Sequence, residues 1–209
     1  MEYNYNSLTA DYKKIGYVVV DNFLPEDVAD KLESMYSKEN NNWEFNEQYR
    51  DQKYGKGKYG LFKTNSLYLP GENEAYTAKF WRSDKLELKV ENIFDEYFKP
   101  PLKSISQLEL TEYDVRCYKL DEGCHYRTHI DDWAGNIGCI YYINKKWVWD
   151  WGGILHVGFD DNLDEVVSIR PKFNRAIFID HGGFRFPHFI SPITEYALNP
   201  RFTIISFNK

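Results

Sequence analysis

Residues 138–159, GCIYYINKKWVWDWGGILHVGF, decide the fold class. Two runs rich in β-branched and aromatic residues, 138–143 and 154–159, flank a segment marked by Asn144, Asp150 and the Gly152-Gly153 pair. Apolar runs this short, bounded by turn-forming residues, read as strands rather than helices. The pattern continues outward: residues 115–120 before it, and 166–169, 176–179 and 202–207 after it, alternate with Gly, Asn, Asp and Pro. Short strands at this spacing predict an antiparallel sandwich or barrel of the jelly-roll kind.

The N-terminal half reads differently. Residues 16–23 (GYVVVDNF) predict a strand, and Pro25 opens a helix with Glu26 and Asp27 in its first turn, where a helix favours negative charge. Val28, Leu32, Met35 and Tyr36 share one face of it. A second helix follows Ser83, with Leu86, Val90, Ile93, Phe94 and Tyr97 on one stripe and Pro100-Pro101 as a stop. These helices would buttress one outer sheet. Between them, residues 40–76 are polar but carry Trp43, Phe45, Tyr49, Tyr54, Tyr59, Phe62 and Tyr68, a composition that suits a binding wall or lid as well as packed coil. There is no internal repeat or linker. The reading is a mainly β (α+β) single domain, 1–209, with a helical and loop elaboration over 1–107 and a jelly-roll core over 108–209.

Composition narrows the function classes. The 209 residues, 43% hydrophobic, suffice for one buried core. A net charge of −6 argues against a nucleic-acid partner, since phosphate recognition needs a basic surplus. No apolar run of ~18 residues is present to span a bilayer, and residues 1–14 lack the apolar centre of a signal peptide. A cytoplasmic protein with no membrane partner is expected. Cys117, Cys124 and Cys139 form neither an even disulfide set nor a C-x-x-C pair, so reduced thiols are expected, in a compartment where iron could stay ferrous. Nothing in the sequence speaks to oligomeric state.

His129-Ile130-Asp131 sets an imidazole and a carboxylate two residues apart, on one side of an extended chain, where both can reach one ion. By itself the pair is a weak signal, equally read as a core histidine and a turn aspartate. His188, in the run Phe186-Pro187-His188-Phe189-Ile190-Ser191-Pro192-Ile193, adds a second imidazole. Two imidazoles and one carboxylate are the donor set of non-haem iron oxygenases, which leaves positions open, whereas a structural zinc site closes its coordination sphere. Arg201 begins the apolar run that follows. It could grip a carboxylate bidentately in a partly desolvated cavity, or cap a strand at the surface.

His129-x-Asp131, the Pro-His-x-Ile-x-Pro run around His188, and Arg201-x-Thr203 resemble the iron(II)/2-oxoglutarate dioxygenases, in particular their prolyl 4-hydroxylase-like branch. The likeness covers roughly residues 113–208. Within it, CIYYINKKW (139–147) followed by GGIL (152–155) resembles a stretch of prolyl hydroxylases, including those acting on oxygen-sensing transcription factors. The resemblance implies an Fe(2+) centre held by His129, Asp131 and His188, and 2-oxoglutarate bound at its distal carboxylate by Arg201 and Tyr142, with Thr203 in the same subsite. It further implies Tyr118 and Tyr126 as aromatics lining the cofactor and substrate pocket, although core packing accounts for both equally well. Trp147 is included as a substrate-side candidate but reads first as structural. Where the family often has Ser two residues after the arginine, this chain has Thr203, which preserves a hydroxyl. Asp131 is not replaced by the Gly or Ala of related halogenases, so hydroxylation is favoured.

The implied reaction consumes O2 and 2-oxoglutarate, releases succinate and CO2, and hydroxylates a C–H bond, with ascorbate an open question as accessory reductant. A prolyl residue of a protein or peptide is the first expectation for the substrate; a free amino acid or small metabolite is the alternative, because fold does not fix function. Two rivals stay in view. One is a cupin-like metalloenzyme that dispenses with 2-oxoglutarate, and the other a non-catalytic jelly-roll binding module with structural histidines.

Overall fold

A computed structural model describes residues 4–38, 42–49, 76–131, 135–159, 165–184 and 186–209. The chain opens on α1 (Tyr5–Ile15), which the sequence reading did not anticipate; the Asn4 side chain accepts from the Ser7 N–H at 3.3 Å, and Gly16 ends the helix at φ 76°. β1 (Tyr17–Asp21) and α2 (Glu26–Lys38) follow as predicted. β2 (Glu44–Tyr49), inside the region read as loop, pairs with β3 (Tyr76–Arg82), which begins at its end. Trp43 stacks on Phe202 at 5.9 Å, and Phe45 lies 4.9 Å from Trp81. Tyr54, Tyr59, Phe62 and Tyr68 lie outside the described residues.

α3 (Asp84–Ile93) begins at Ser83, whose hydroxyl accepts from the Leu86 N–H. The predicted stop at Pro100-Pro101 is wrong. The helix widens into a π-helical stretch, Phe94–Phe98, and resumes as α4 (Lys99–Ser106), with both prolines in the first turn of α4. The Lys99 N–H still reaches back to the Phe94 carbonyl, and the wider π turn supplies the change of phase that admits the two prolines after it, which have no N–H to place.

The remaining strands are β4 (Tyr113–Leu120), β5 (His125–His129), β6 (Ile137–Tyr142), β7 (Leu155–Gly158), β8 (Val166–Ile169), β9 (Arg175–Asp180), β10 (His188–Ile190) and β11 (Arg201–Asn208). They form one antiparallel sheet in the order β1-β9-β6-β11-β4-β3-β5-β10-β7-β8, with β2 paired to β3. The N-terminal half therefore contributes three strands as well as its helices. The sheet curls so that β6, β9 and β11 face β7 and β10 across one cavity, the half-barrel form of the expected jelly roll.

Strand alternation sorts the core into two layers. Cys117, Cys139, Tyr141, Phe178 and Ile204 face the helices, packing with Leu32, Val90, Phe98 and Leu102. Their neighbours Tyr118, Ile140, Tyr142, Ile177 and Ile205 face inward, with Leu155, Val157 and Ile190. Every residue of β6 is buried, because both of its faces are covered. Burying one such side chain is worth about 1.5–3 kcal/mol, so a one-residue slip of β6 would misplace the whole set. All three cysteines are buried free thiols.

Candidate metal centre

β5 and β10 run antiparallel with His129 directly opposite His188. Asp131 follows the end of β5. One ligand atom from each of the three lies within 4.8 Å of the others. His129 Nε2 is 3.6 Å from Asp131 Oδ1, and His188 Nε2 is 3.4 Å from Asp131 Oδ2. Both rings are aimed from behind: Nδ1 of His129 lies 2.6 Å from the Arg127 carbonyl oxygen, and Nδ1 of His188 lies 3.0 Å from that of Phe186. A carbonyl only accepts, so Nδ1 carries a proton in both rings, and Nε2 is the nitrogen that would give its lone pair to a metal once free of its own proton. Two imidazole nitrogens and a carboxylate oxygen in this arrangement fit iron(II).

Electrostatics agree with a cation site. Burial disfavours the ionised form of Asp131, but His129 and His188 outweigh it and hold the carboxyl well below its usual range. Burial, together with His188, lowers His129. Burial also works against a charged His188, yet the Asp131 hydrogen bond and charge prevail and raise it. The pair His188–Asp131 thus keeps a buried negative group facing a cavity of about 360 Å³.

That cavity is walled by Ile140, Leu155, Ile179, Ile190 and Ile205, with Tyr118 and Tyr126 at one side. Tyr118 accepts from Arg116 Nη1 at 3.2 Å. Tyr126 stacks on Phe80 at 5.1 Å, and its buried hydroxyl has no hydrogen-bond partner among the described residues.

A second group of polar atoms is buried beyond the cavity lining. Thr203 on β11 is in register with Tyr118 on β4 and Tyr142 on β6. Arg201, two residues earlier on the same strand face, is 0% exposed, which rules out a surface strand cap. Among the described residues its Nε, Nη1 and Nη2 find no hydrogen-bond partner, nor do the Tyr142 hydroxyl and Thr203 Oγ1. The guanidinium lies 5.0 Å from the Tyr142 ring centroid. Burial raises the Tyr142 phenol and the cation pulls it back, but no hydrogen-bond geometry joins the two. A buried cation without a partner costs several kcal/mol, and its three nitrogens with the two hydroxyls beside it are the kind of donor set that a carboxylate takes.

Trp147 does not line the cavity; its Nε1 donates to the Gly152 carbonyl at 2.9 Å, so packing accounts for it. Gly153, at φ 63°, lets the chain pass beside Arg201: a Cβ there would stand 2.8 Å from Arg201 Cδ and 2.6 Å from Ile193 Cδ1. The sequence reading missed His181 and Arg116, both of which line the cavity. A glycine inside the otherwise bulky strand IGCIYY was the available signal for His181, because a strand glycine often marks a close approach.

Comparison with known proteins agrees with this geometry. The profile of the 2OG-Fe(II) oxygenase superfamily matches residues 113–208. The rat protein prolyl hydroxylase EGLN3 is 29% identical over 195 residues, 88% of this chain and 77% of that protein. Human Egl nine homolog 1 is 36% identical over 94 residues, 42% of this chain and 21% of that protein. Among solved structures, a prolyl hydroxylase from Trichoplax adhaerens, in complex with a hypoxia inducible factor oxygen degradation domain peptide, superposes with a TM-score of 0.62 at 16% identity, covering 98% of this chain and 88% of that one. A Pseudomonas putida prolyl-4-hydroxylase gives 0.60 at 16% identity, covering 98% of each chain. The profile match over residues 113–208, the Egl nine relatives and the converging His-Asp-His group agree in likening this chain to the 2OG-Fe(II) oxygenase superfamily, iron- and 2-oxoglutarate-dependent dioxygenases, and within it to the prolyl hydroxylases.

Proposed function

We propose that this enzyme hydroxylates a prolyl residue of a peptide or protein, with iron(II) held by His129, Asp131 and His188 and the distal carboxylate of 2-oxoglutarate held by Arg201, Tyr142 and Thr203. The carrying observation is the pairing of a three-ligand group with a fully buried guanidinium that has no hydrogen-bond partner among the described residues, in the same half-barrel. Bound iron(II), with 2-oxoglutarate and O2, supplies the oxidising power for C–H hydroxylation and the release of succinate and CO2.

The protein's own part is placement. The carbonyls of Arg127 and Phe186 fix the two imidazoles, and the ionised Asp131 balances cationic charge. Arg201 can bind a carboxylate through two parallel N–H donors while Tyr142 and Thr203 donate hydroxyl protons to the same anion. Apolar walls from Ile140, Leu155 and Ile179 keep water away from the reacting carbon. The prolyl reading takes its support from the Egl nine relatives and from the peptide-bound structural neighbour. Ascorbate as an accessory reductant belongs to the same reading and is tested by adding it to the assay.

A small-metabolite substrate is the second reading. It is favoured by the half-barrel's equal likeness to the alpha ketoglutarate dependent epimerase SnoN from nogalamycin biosynthesis, with a TM-score of 0.61 at 12% identity. Incubating the iron-loaded protein and 2-oxoglutarate with a panel of proline-containing peptides and a panel of free amino acids separates the two. A +16 mass shift on a prolyl peptide is the expected result; conversion of a free amino acid with every peptide untouched overturns the prolyl assignment.

A further inference from the structure

We infer that His181 is a substrate-binding residue, whose ring N–H donates to an amide carbonyl of the substrate and sets the target carbon before the metal centre. The inference rests on the prolyl reading above and adds a residue to it.

The side chain is built into the cavity wall. His181 is 7% exposed and lines the same cavity as His129, Asp131 and His188, yet it lies outside the group of ligand atoms within 4.8 Å of one another. Its ring centroid is 6.2 Å from that of His188 and 6.2 Å from that of Phe207. The backbone is held on both sides: the His181 N–H donates to the Asn136 carbonyl at 3.1 Å, and Asp180 Oδ1 accepts from the N–H groups of Gly182 and Gly183 at 2.8 and 2.7 Å. Neither ring nitrogen has a hydrogen-bond partner among the described residues.

Gly138 makes the placement possible. A Cβ on this residue would come within 2.2 Å of His181 Nε2. Gly138 is paired with Ile179 in the β6–β9 ladder, and its φ is not in the left-handed region, so its value here is space rather than conformational freedom. Glycine in a strand interior weakens it by roughly 0.5–1 kcal/mol relative to alanine, a cost that the seat for this imidazole explains.

The chemistry of the ligand follows. A prolyl residue has no N–H, so its own backbone offers the wall only carbonyl acceptors, and an imidazole can donate to one in either protonation state. Arg116, another donor lining the cavity, is committed to Asp114 and to the Tyr118 hydroxyl.

The test compares the wild type with His181→Phe, which keeps the ring's shape without a donor, His181→Gln, which keeps a donor, and Gly138→Ala, which displaces the imidazole. Affinity for Mn(II) and for 2-oxoglutarate, read by thermal shift, is expected to change less than about twofold in all three. With the best peptide of the panel, His181→Phe and Gly138→Ala should raise KM about tenfold and produce at least five times more succinate per hydroxylated peptide, because a loosely held substrate uncouples the reaction. His181→Gln should recover most of both. Normal KM and coupling in His181→Phe, or loss of Mn(II) affinity in the same variant, overturns the inference while the prolyl reading stands. A wild-type enzyme that hydroxylates no peptide refutes the prolyl reading itself and this inference with it.

Discussion

His129 and His188 occupy one register position of the β5–β10 ladder, their ring centroids 4.3 Å apart, so that sheet pairing joins two imidazoles distant in sequence. Metal affinity should therefore depend on both strands. A ligand bound only by the native state stabilises it by about 2.7 kcal/mol at a hundredfold excess over Kd, roughly 5–10 °C in a domain of this size. Mn(II) should raise the melting temperature of the wild type by that amount and leave His188→Ala and Asp131→Ala unmoved. Taking the increment within each variant cancels the separate cost of the substitution. An undiminished Mn(II) shift in either variant would remove that residue from the centre.

Asp21 fastens β1 to the edge of the barrel: it stands opposite Arg175 in the β1–β9 ladder, with Arg175 Nε 2.6 Å from Oδ1 and Lys172 Nζ 2.7 Å from Oδ2. The Arg175 hydrogen bond, helped by Lys172, lowers its carboxyl to about 2. A folded value below the unfolded one means that the ion pair contributes fully above pH ~4 and is lost as the pH falls through about 2. Asp21→Asn should cost less than about 1 kcal/mol at pH 7, because the carboxylate is 36% exposed and screened by water. The gap between variant and wild type should close between pH 4 and 2. Urea unfolding at pH 7, 4 and 2 checks this, and a pH-independent gap would assign the effect to packing.

The sheet was legible because its strands obey simple rules. The inward and outward faces of β4, β6, β9 and β11 follow from alternation alone, and His129, Asp131 and His188 were legible because a donor set is recognisable by residue type. Elements set by long-range contacts were not. α1 carries Tyr5, Leu8 and Tyr12 on one face, but the helix is short and is held partly by packing on α4, where Thr9 Oγ1 donates to the Ser104 carbonyl. The prolines of α4 read as a terminus because no local pattern announces a π stretch. Arg201 could be named from its motif, but its complete burial depends on neighbours distant in sequence, Tyr142 on the paired strand β6 and the close pass of the chain at Gly153. His181 was missed because its room is made by Gly138, a residue remote in sequence.

Gly153 and Gly123 test whether space or backbone governs the turn beside Arg201. Both have positive φ, 63° and 77°, yet a Cβ at Gly123 meets nothing within 4 Å while one at Gly153 meets Ile193 and Arg201. Alanine in the left-handed region costs about 1–2 kcal/mol, and overpacking a buried site adds about 1–3. Gly123→Ala should lose about 1–2 kcal/mol and bind 2-oxoglutarate normally. Gly153→Ala should lose about 2–5 kcal/mol and also weaken 2-oxoglutarate, since the intruding methyl displaces the guanidinium stem. Equal losses in denaturant melts, with equal 2-oxoglutarate affinity, would show that contact with Arg201 is immaterial.

Arg201 should prove a liability without its ligand. A buried charge with no partner is costly, and replacing such a group by an apolar side chain of similar volume is often neutral or stabilising by about 1–4 kcal/mol. Arg201→Met, measured by urea unfolding in the absence of 2-oxoglutarate, is expected to be at least as stable as the wild type. Adding 2-oxoglutarate with Mn(II) should reverse the order, because only the wild type gains the further stabilisation of a gripped diacid. Arg201→Lys should restore little, since an ammonium cannot form the two parallel bonds of a guanidinium. If Arg201→Met were instead several kcal/mol less stable without ligand, and still responded fully to 2-oxoglutarate, the guanidinium would be a structural group and the diacid would bind elsewhere.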